Sequence, residues 1–185
     1  MDARRYVTTF AKDLKIGAIT QSTKYVVRAV TAAVSEAYRY IVEYGAGDGI
    51  LSRSLLARLP ADGRVTGVER NDQMFEELSE IHDSRFSAIK GDVFTMCRDP
   101  KSFRLPRVDA VVTSIPLTLY APREREQLIM DTHALLAPGG SMVVYQYTPL
   151  VLPLLKKYFR KVTMGFEPRN VFPYFIMRAE KPAER

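Results

Sequence analysis

Residues 42–51 of this chain read VEYGAGDGIL. An apolar run, Tyr40 to Tyr44, stops at three glycines on alternate positions, and a helical pattern begins at Ile50. A buried strand that feeds a helix through a nearly bare backbone belongs to a parallel α/β sheet, where ligands sit beyond the carboxyl ends of the strands. Gly45, Gly47 and Gly49 allow close approach to the main chain and dihedral angles that side chains forbid. The free N–H groups at the start of the helix point into the same crevice, so a nucleotide-like ligand is expected there.

The rest of the chain repeats the alternation. Tyr25, Val26, Ala29, Val30, Ala33 and Val34 recur at three- and four-residue steps, which predicts a helix over 22–37 with Ser22 as a candidate cap. Strands are expected at 40–44, 65–69, 86–90, from about Asp109 to Thr113, and at 142–147. Helices are expected at 50–58 and 72–81. A further helix opens at Pro122, places Leu128, Ile129, Thr132, Leu135 and Leu136 on one face, and stops at Pro138-Gly139-Gly140. Two strand-like runs at 162–166 and 171–177 leave no room for a crossover helix, so they must pair antiparallel. The fold class is therefore α/β: a mostly parallel, seven-stranded, Rossmann-like sheet with an antiparallel edge hairpin and helices on both faces. At 185 residues one domain is expected, with an N-terminal helical region over 1–37 and the sheet core over 38–185.

The lone Cys97 excludes an internal disulfide and any multi-cysteine metal site, and it fits a reducing, cytoplasmic compartment. The start, MDARRYVTTF, lacks the apolar centre of a signal peptide, and no run approaches the roughly 20 apolar residues that span a bilayer, so membrane contact would be peripheral. Lysine and arginine exceed aspartate and glutamate by 27 to 21, which favours anionic neighbours such as acidic lipid or nucleic acid. A basic protein without an anionic partner is the plainer alternative.

The glycine spacing is GxGxG preceded by Glu43, not the GxGxxG of dinucleotide sites. A carboxylate at that strand end repels a pyrophosphate and favours a cationic ligand. Glu43-Tyr44-Gly45-Ala46-Gly47-Asp48-Gly49 resembles the first motif, ExGxGxG, of class I S-adenosylmethionine-dependent methyltransferases. The resemblance implies S-adenosylmethionine as cofactor, no metal, and a role for the acidic residue at the amino acid end of that cofactor. It also assigns Glu69, followed by Arg70 at the end of the second strand, to the ribose hydroxyls. Asp92 of Gly91-Asp92-Val93 is assigned to the adenine amino group, with Val93 packed on the ring. Taken singly, Glu69 also reads as a solvated strand end and Asp92 as a helix cap.

The fourth strand ends in Thr113-Ser114-Ile115-Pro116-Leu117, which resembles the (N/D/S)xP(aromatic) motif of methyltransferases that act on amino nitrogen. There a polar side chain and a neighbouring backbone carbonyl accept hydrogen bonds from the target amine. Leu117 stands where nucleic acid enzymes place an aromatic platform for a flipped base, although Tyr120 lies close by. Ser114 and Tyr120 are the candidates for orienting the amine. His82 and His133 fall on expected helices and belong to no motif.

Over nearly its full length the chain is similar to bacterial phospholipid N-methyltransferases and to rRNA adenine dimethyltransferase-like proteins. The likeness rests on the run from Leu14 to Ser22, the glycine motif, Ser114 to Leu117, Pro138-Gly139-Gly140, and Tyr145-Gln146-Tyr147-Thr148-Pro149. It implies methylation of the headgroup amine of phosphatidylethanolamine at a membrane surface, and it adds Ser22 to the cofactor candidates. Gln21 replaces a frequent proline of that family and Ser114 a frequent glycine. Tyr6, Val7, Phe10 and Leu14 can share a helix face flanked by Arg4, Arg5, Lys12 and Lys15, as an interfacial helix on anionic lipid requires. A short helix docked on the core serves equally. Leu150 to Leu155, followed by Lys156-Lys157, can line an acyl path or be buried in the core. Two rival functions remain open: adenine N6 methylation of ribosomal RNA, and cofactor binding without turnover.

Overall fold

The computed structural model describes residues 23–170 and 172–183. Seven strands form one sheet: β1 (Tyr40–Tyr44), β2 (Arg64–Glu69), β3 (Phe86–Lys90), β4 (Val108–Thr113), β5 (Leu136–Gln146), β6 (Lys161–Glu167) and β7 (Tyr174–Glu180). Their order is β3-β2-β1-β4-β5-β7-β6. The first five run parallel, and β7 is antiparallel to both β5 and β6. The tail hairpin thus enters the sheet by its second strand.

Alternation along each strand sends side chains to two separate cores. Ile41, Val65, Val112 and Val143 meet α1 (Lys24–Ala33) and α2 (Ile50–Arg58) through Val26, Val30, Leu51 and Leu55. Val42, Tyr44, Val111 and Val144 meet the other face, where α5 (Pro122–Leu135) and α6 (Leu152–Tyr158) supply Leu128, Ile129 and Leu155. Both faces are covered, which is why the central strands read as continuous apolar runs. Two shorter helices, α3 (Asp72–Ser79) and α4 (Val93–Met96), follow β2 and β3.

Local forces shift several expected boundaries. The first helix ends at Ala33, because Val34 turns extended to bury its side chain beside Val26 and Val30. The proposed cap Ser22, the basic-apolar segment before it and Val171 lie outside the described residues. The second-strand helix stops at Ser79 instead of 81, which leaves His82 off any helix. Leu136 is not the last turn of α5 but the first residue of β5: it pairs with Val108, and the next paired residue is Ser141 opposite Ala110. Pro138-Gly139-Gly140 is therefore a bulge inside a strand, with Gly139 donating its N–H to Pro182 O at 3.0 Å. The final strand runs 174–180, three residues later than its apolar pattern suggested. The run Leu150 to Leu155 enters α6, which buries Val151 and Leu155 in the core and leaves Leu150 exposed.

Asp109 ties the base of the sheet together. Its buried carboxylate accepts from the N–H groups of Arg39 (2.8 Å) and Tyr40 (3.1 Å) and from Arg107 Nε (2.7 Å), which fixes where β1 starts against β4. Asp109→Ala leaves two backbone donors without their partner, and hydrogen bonds to a charged group contribute about 1.5–3 kcal/mol. The expected result is a loss of about 2–3 kcal/mol in urea unfolding with an unchanged m-value, and no change in ligand affinity at the opposite end of the strands.

Candidate active site

Strand order reverses between β1 and β4, and a cavity of about 660 Å³ opens at their carboxyl ends. From the first turn it is lined by Glu43, Gly45, Ala46, Gly47 and Asp48. The second strand end contributes Glu69 and Arg70, and the third contributes Gly91, Asp92 and Val93. Ser114 and Tyr120 line it beyond β4. Twelve sequence-derived candidates thus share one wall. Gly49, expected in the same cradle, lies outside the lining: at φ 78° it caps α2, and a Cβ there would stand 2.5 Å from Ile81 Cδ1. Its glycine serves helix packing.

Gly45 and Gly47 explain why the turn must be bare. Gly45 has φ 70°, and a Cβ on it would lie 2.9 Å from Ile115 Cγ1, so the two strand ends could not approach. Gly47 has φ 56°, and a Cβ there would meet nothing within 4 Å. That open space is cavity.

Acidic residues line the floor of the cavity. Glu43 is 2% exposed and accepts a hydrogen bond from Ser52 Oγ at 2.5 Å. Burial first, then the nearby negative charges of Asp48 and Glu69, push its carboxyl up from 4.5 to about 8 against the lowering effect of Ser52. Such a group gains from a cation and would oppose a pyrophosphate. Glu69 is held by three backbone donors, Gly47 N–H at 3.0 Å, Arg70 N–H at 2.8 Å and Asn71 N–H at 2.9 Å. A carboxylate has about four acceptor positions, so one stays open to a hydroxyl. Asp92 does cap α4, accepting from Phe94 N–H at 2.9 Å, and lines the cavity as well. The two readings of Asp92 are compatible.

The far end of the cavity holds Tyr145, Gln146, Tyr147 and Thr148, which the sequence marked as part of the family likeness but not as site candidates, and Tyr174, which it did not mark at all. Burial raises the Tyr145 phenol above its ordinary value, against a lowering effect of the Ser114 side chain. Tyr174 donates to or accepts from Tyr147 across 2.8 Å between hydroxyls, with the two rings 4.4 Å apart. Tyr120 stacks on Phe94 at 4.4 Å, and Leu117 is fully buried in the core cluster that both rings pack against. A visible signal existed: the fifth strand runs Met-Val-Val-Tyr and then turns polar at Gln146 and Thr148, where a strand end meets a ligand crevice. His133 sits edge-on to Phe159, and neither histidine lines the cavity.

A methyltransferase domain model matches residues 41–140, more than half the chain, and covers the four strand ends just described. The chain belongs to the class I S-adenosylmethionine-dependent methyltransferases. This methyltransferase is 29% identical over 138 residues to the ornithine lipid N-methyltransferase of Singulisphaera acidiphila, which covers 73% of the chain and 72% of that protein. Its fold is shared with the precorrin-6y C5,15-methyltransferase of Geobacter metallireducens at TM-score 0.66 and 18% identity, covering 88% and 90% of the two chains. Magnesium protoporphyrin IX methyltransferase of Synechocystis, solved with its methyl donor bound, gives TM-score 0.64 at 16% identity, covering 84% and 76%. The methyl donor is S-adenosylmethionine. The residues of the cavity fit it: a buried carboxyl among negative neighbours suits a cation, and the space at Gly47 suits a ligand lying on the main chain.

Proposed function

We propose that this methyltransferase acts on the amino nitrogen of a lipid headgroup. The observation that carries the reading is its 29% identity, over 138 residues, to a protein named for N-methylation of ornithine lipid. Two features support it. The Ser114-Ile115-Pro116 turn lines the cavity at the fourth strand end, and the slot for a stacking base holds a buried leucine. The acceptor is a primary amine, as on phosphatidylethanolamine or ornithine lipid, and the +6 net charge favours an anionic membrane face. Among the described residues no helix is long and apolar enough to cross a membrane.

In this reading Glu43 holds the ammonium of the cofactor, Glu69 its ribose, and Asp92 with Val93 its adenine. The cofactor supplies an electrophilic methyl group. Ser114 and Tyr120 orient the amine, which must first lose a proton to solvent so that its lone pair is free. Little further chemistry is required, because alignment of nucleophile and methyl lowers most of the barrier.

The test supplies labelled S-adenosylmethionine with mixed vesicles of phosphatidylethanolamine, vesicles containing ornithine lipid, or structured RNA. Label in either lipid extract supports the proposal and identifies the headgroup. Label in RNA alone, with strongly salt-sensitive binding, replaces it by adenine methylation.

A further inference from the structure

The Ser114-Ile115-Pro116 motif implies that a backbone carbonyl beside Ser114 receives the target amine. In the structure the Ile115 carbonyl already accepts a hydrogen bond from Gln146 Nε2. Gln146 ends β5, is 5% exposed, and lines the cavity. Its other amide atom, Oε1, is buried and has no partner among the described residues. Thr148 Oγ1, two residues on in the same cavity wall, is also buried without a partner. Buried side-chain acceptors are nearly always satisfied, so a pair left open at the lip of a catalytic cavity marks where a donor from a ligand belongs.

From this we infer that Gln146 is an acceptor-orienting residue, whose Oε1 takes an N–H of the neutral target amine while its Nε2 stays locked on Ile115. The inference rests on the amine reading above and deepens it. The Ile115 lock fixes the amide plane and sets which end of Gln146 is the acceptor. A primary amine offers two N–H groups, one to Gln146 and one to the hydroxyls of Thr148 or Ser114, which leaves its lone pair on the side of the methyl donor. The nitrogen–carbon bond forms as the carbon–sulfur bond breaks, sulfur keeps that electron pair, and the product ammonium releases a proton to solvent. Each methyl added removes one N–H that Gln146 can hold.

The experiment compares wild type, Gln146→Met and Gln146→Glu on phosphatidylethanolamine and its N-monomethyl and N,N-dimethyl forms, on ornithine lipid, and on RNA adenine with and without one N-methyl group. Affinity for S-adenosylhomocysteine, expected unchanged, establishes that each variant keeps the cofactor half of the cavity. For Gln146→Met the expected loss in kcat/KM is about 10- to 100-fold on the primary amine, the range for one buried hydrogen bond. It shrinks on the monomethyl form and falls below about threefold on the dimethyl form, which has no N–H to hold. Gln146→Glu keeps the shape, but its carboxylate retains the ammonium proton, so the rising limb of the pH profile moves up by about one unit or more. A purely structural role lowers all acceptors equally and leaves the profile in place. Equal losses, or none, across the lipid acceptors overturn the role of Gln146 and leave the lipid reading standing. A graded loss seen only on adenine keeps the role and retires the lipid. Turnover of no amine by the wild type overturns both.

Discussion

Gly47→Asn is expected to weaken S-adenosylhomocysteine binding by about 100-fold or more while shifting the melting temperature by only a few degrees. Asparagine is chosen because it enters the left-handed region more readily than other side chains, so the φ of 56° at this position is largely tolerated. The Gly47 N–H also remains available to Glu69 Oε2. What changes is the space: the side chain grows into the open volume where a Cβ meets nothing within 4 Å. Steric loss and backbone strain are thereby separated. Gly49→Asn provides the contrast, since its Cβ would strike Ile81 and Leu78 and should destabilise the fold more than it affects affinity. Calorimetric titration with thermal denaturation reads both quantities. Affinity within threefold of wild type for Gly47→Asn would show that the ligand does not lie on this turn.

The contrast between these two glycines also marks how far the sequence could be read. The motif alone gave Gly45, Gly47 and Gly49 one shared purpose, because spacing records only that side chains are absent. Which absence opens on the cavity and which packs against other side chains depends on Leu78 and Ile81, about thirty residues away. The central parallel strands were legible from their apolar runs, because burial on both faces leaves little polar interruption, and β1, α2 and the half-buried edge strand β3 have the expected bounds. Leu136 was misplaced for the opposite reason. It satisfies helical periodicity with Leu128 and Thr132, yet pairing with Val108 draws it into β5 ahead of a bulge that no local pattern announces.

At the site, acidic residues at strand ends were legible because they are rare there and each precedes a turn. The aromatic and amide wall was not, since Tyr145, Gln146 and Tyr174 come together only through the antiparallel pairing of β5 with β7, where Tyr145 faces Ile176 and Gln146 faces Phe175. The sequence predicted the antiparallel pairing of β6 with β7 but not the place of β7 between β5 and β6. Tertiary register, not composition, built that end of the cavity.

Glu43 makes the second large prediction, because its protonation state must change when a cationic ligand arrives. In the unliganded protein its carboxyl is raised from 4.5 to about 8, mainly by burial, with Asp48 and Glu69 adding to the effect. The folded form therefore holds a proton that the unfolded chain has released. The sign follows: this group favours the fold at low pH, and its contribution is lost as pH rises from about 4.5 through about 8. Glu43→Gln removes that dependence, so its unfolding free energy should decline less than wild type across the same window. Binding reverses the preference, since an ammonium beside Glu43 stabilises the carboxylate. Near pH 6.5, uptake of S-adenosylhomocysteine should release close to one proton, and affinity should rise by up to about tenfold per pH unit until the group is ionised without ligand. Titrations in two buffers of different ionisation enthalpy count the proton directly. Glu43→Gln should abolish the release and weaken binding by about 100-fold, the scale of a lost buried charge pair. Proton release that persists in the glutamine variant would assign the titrating group elsewhere and remove Glu43 from the cofactor's ammonium.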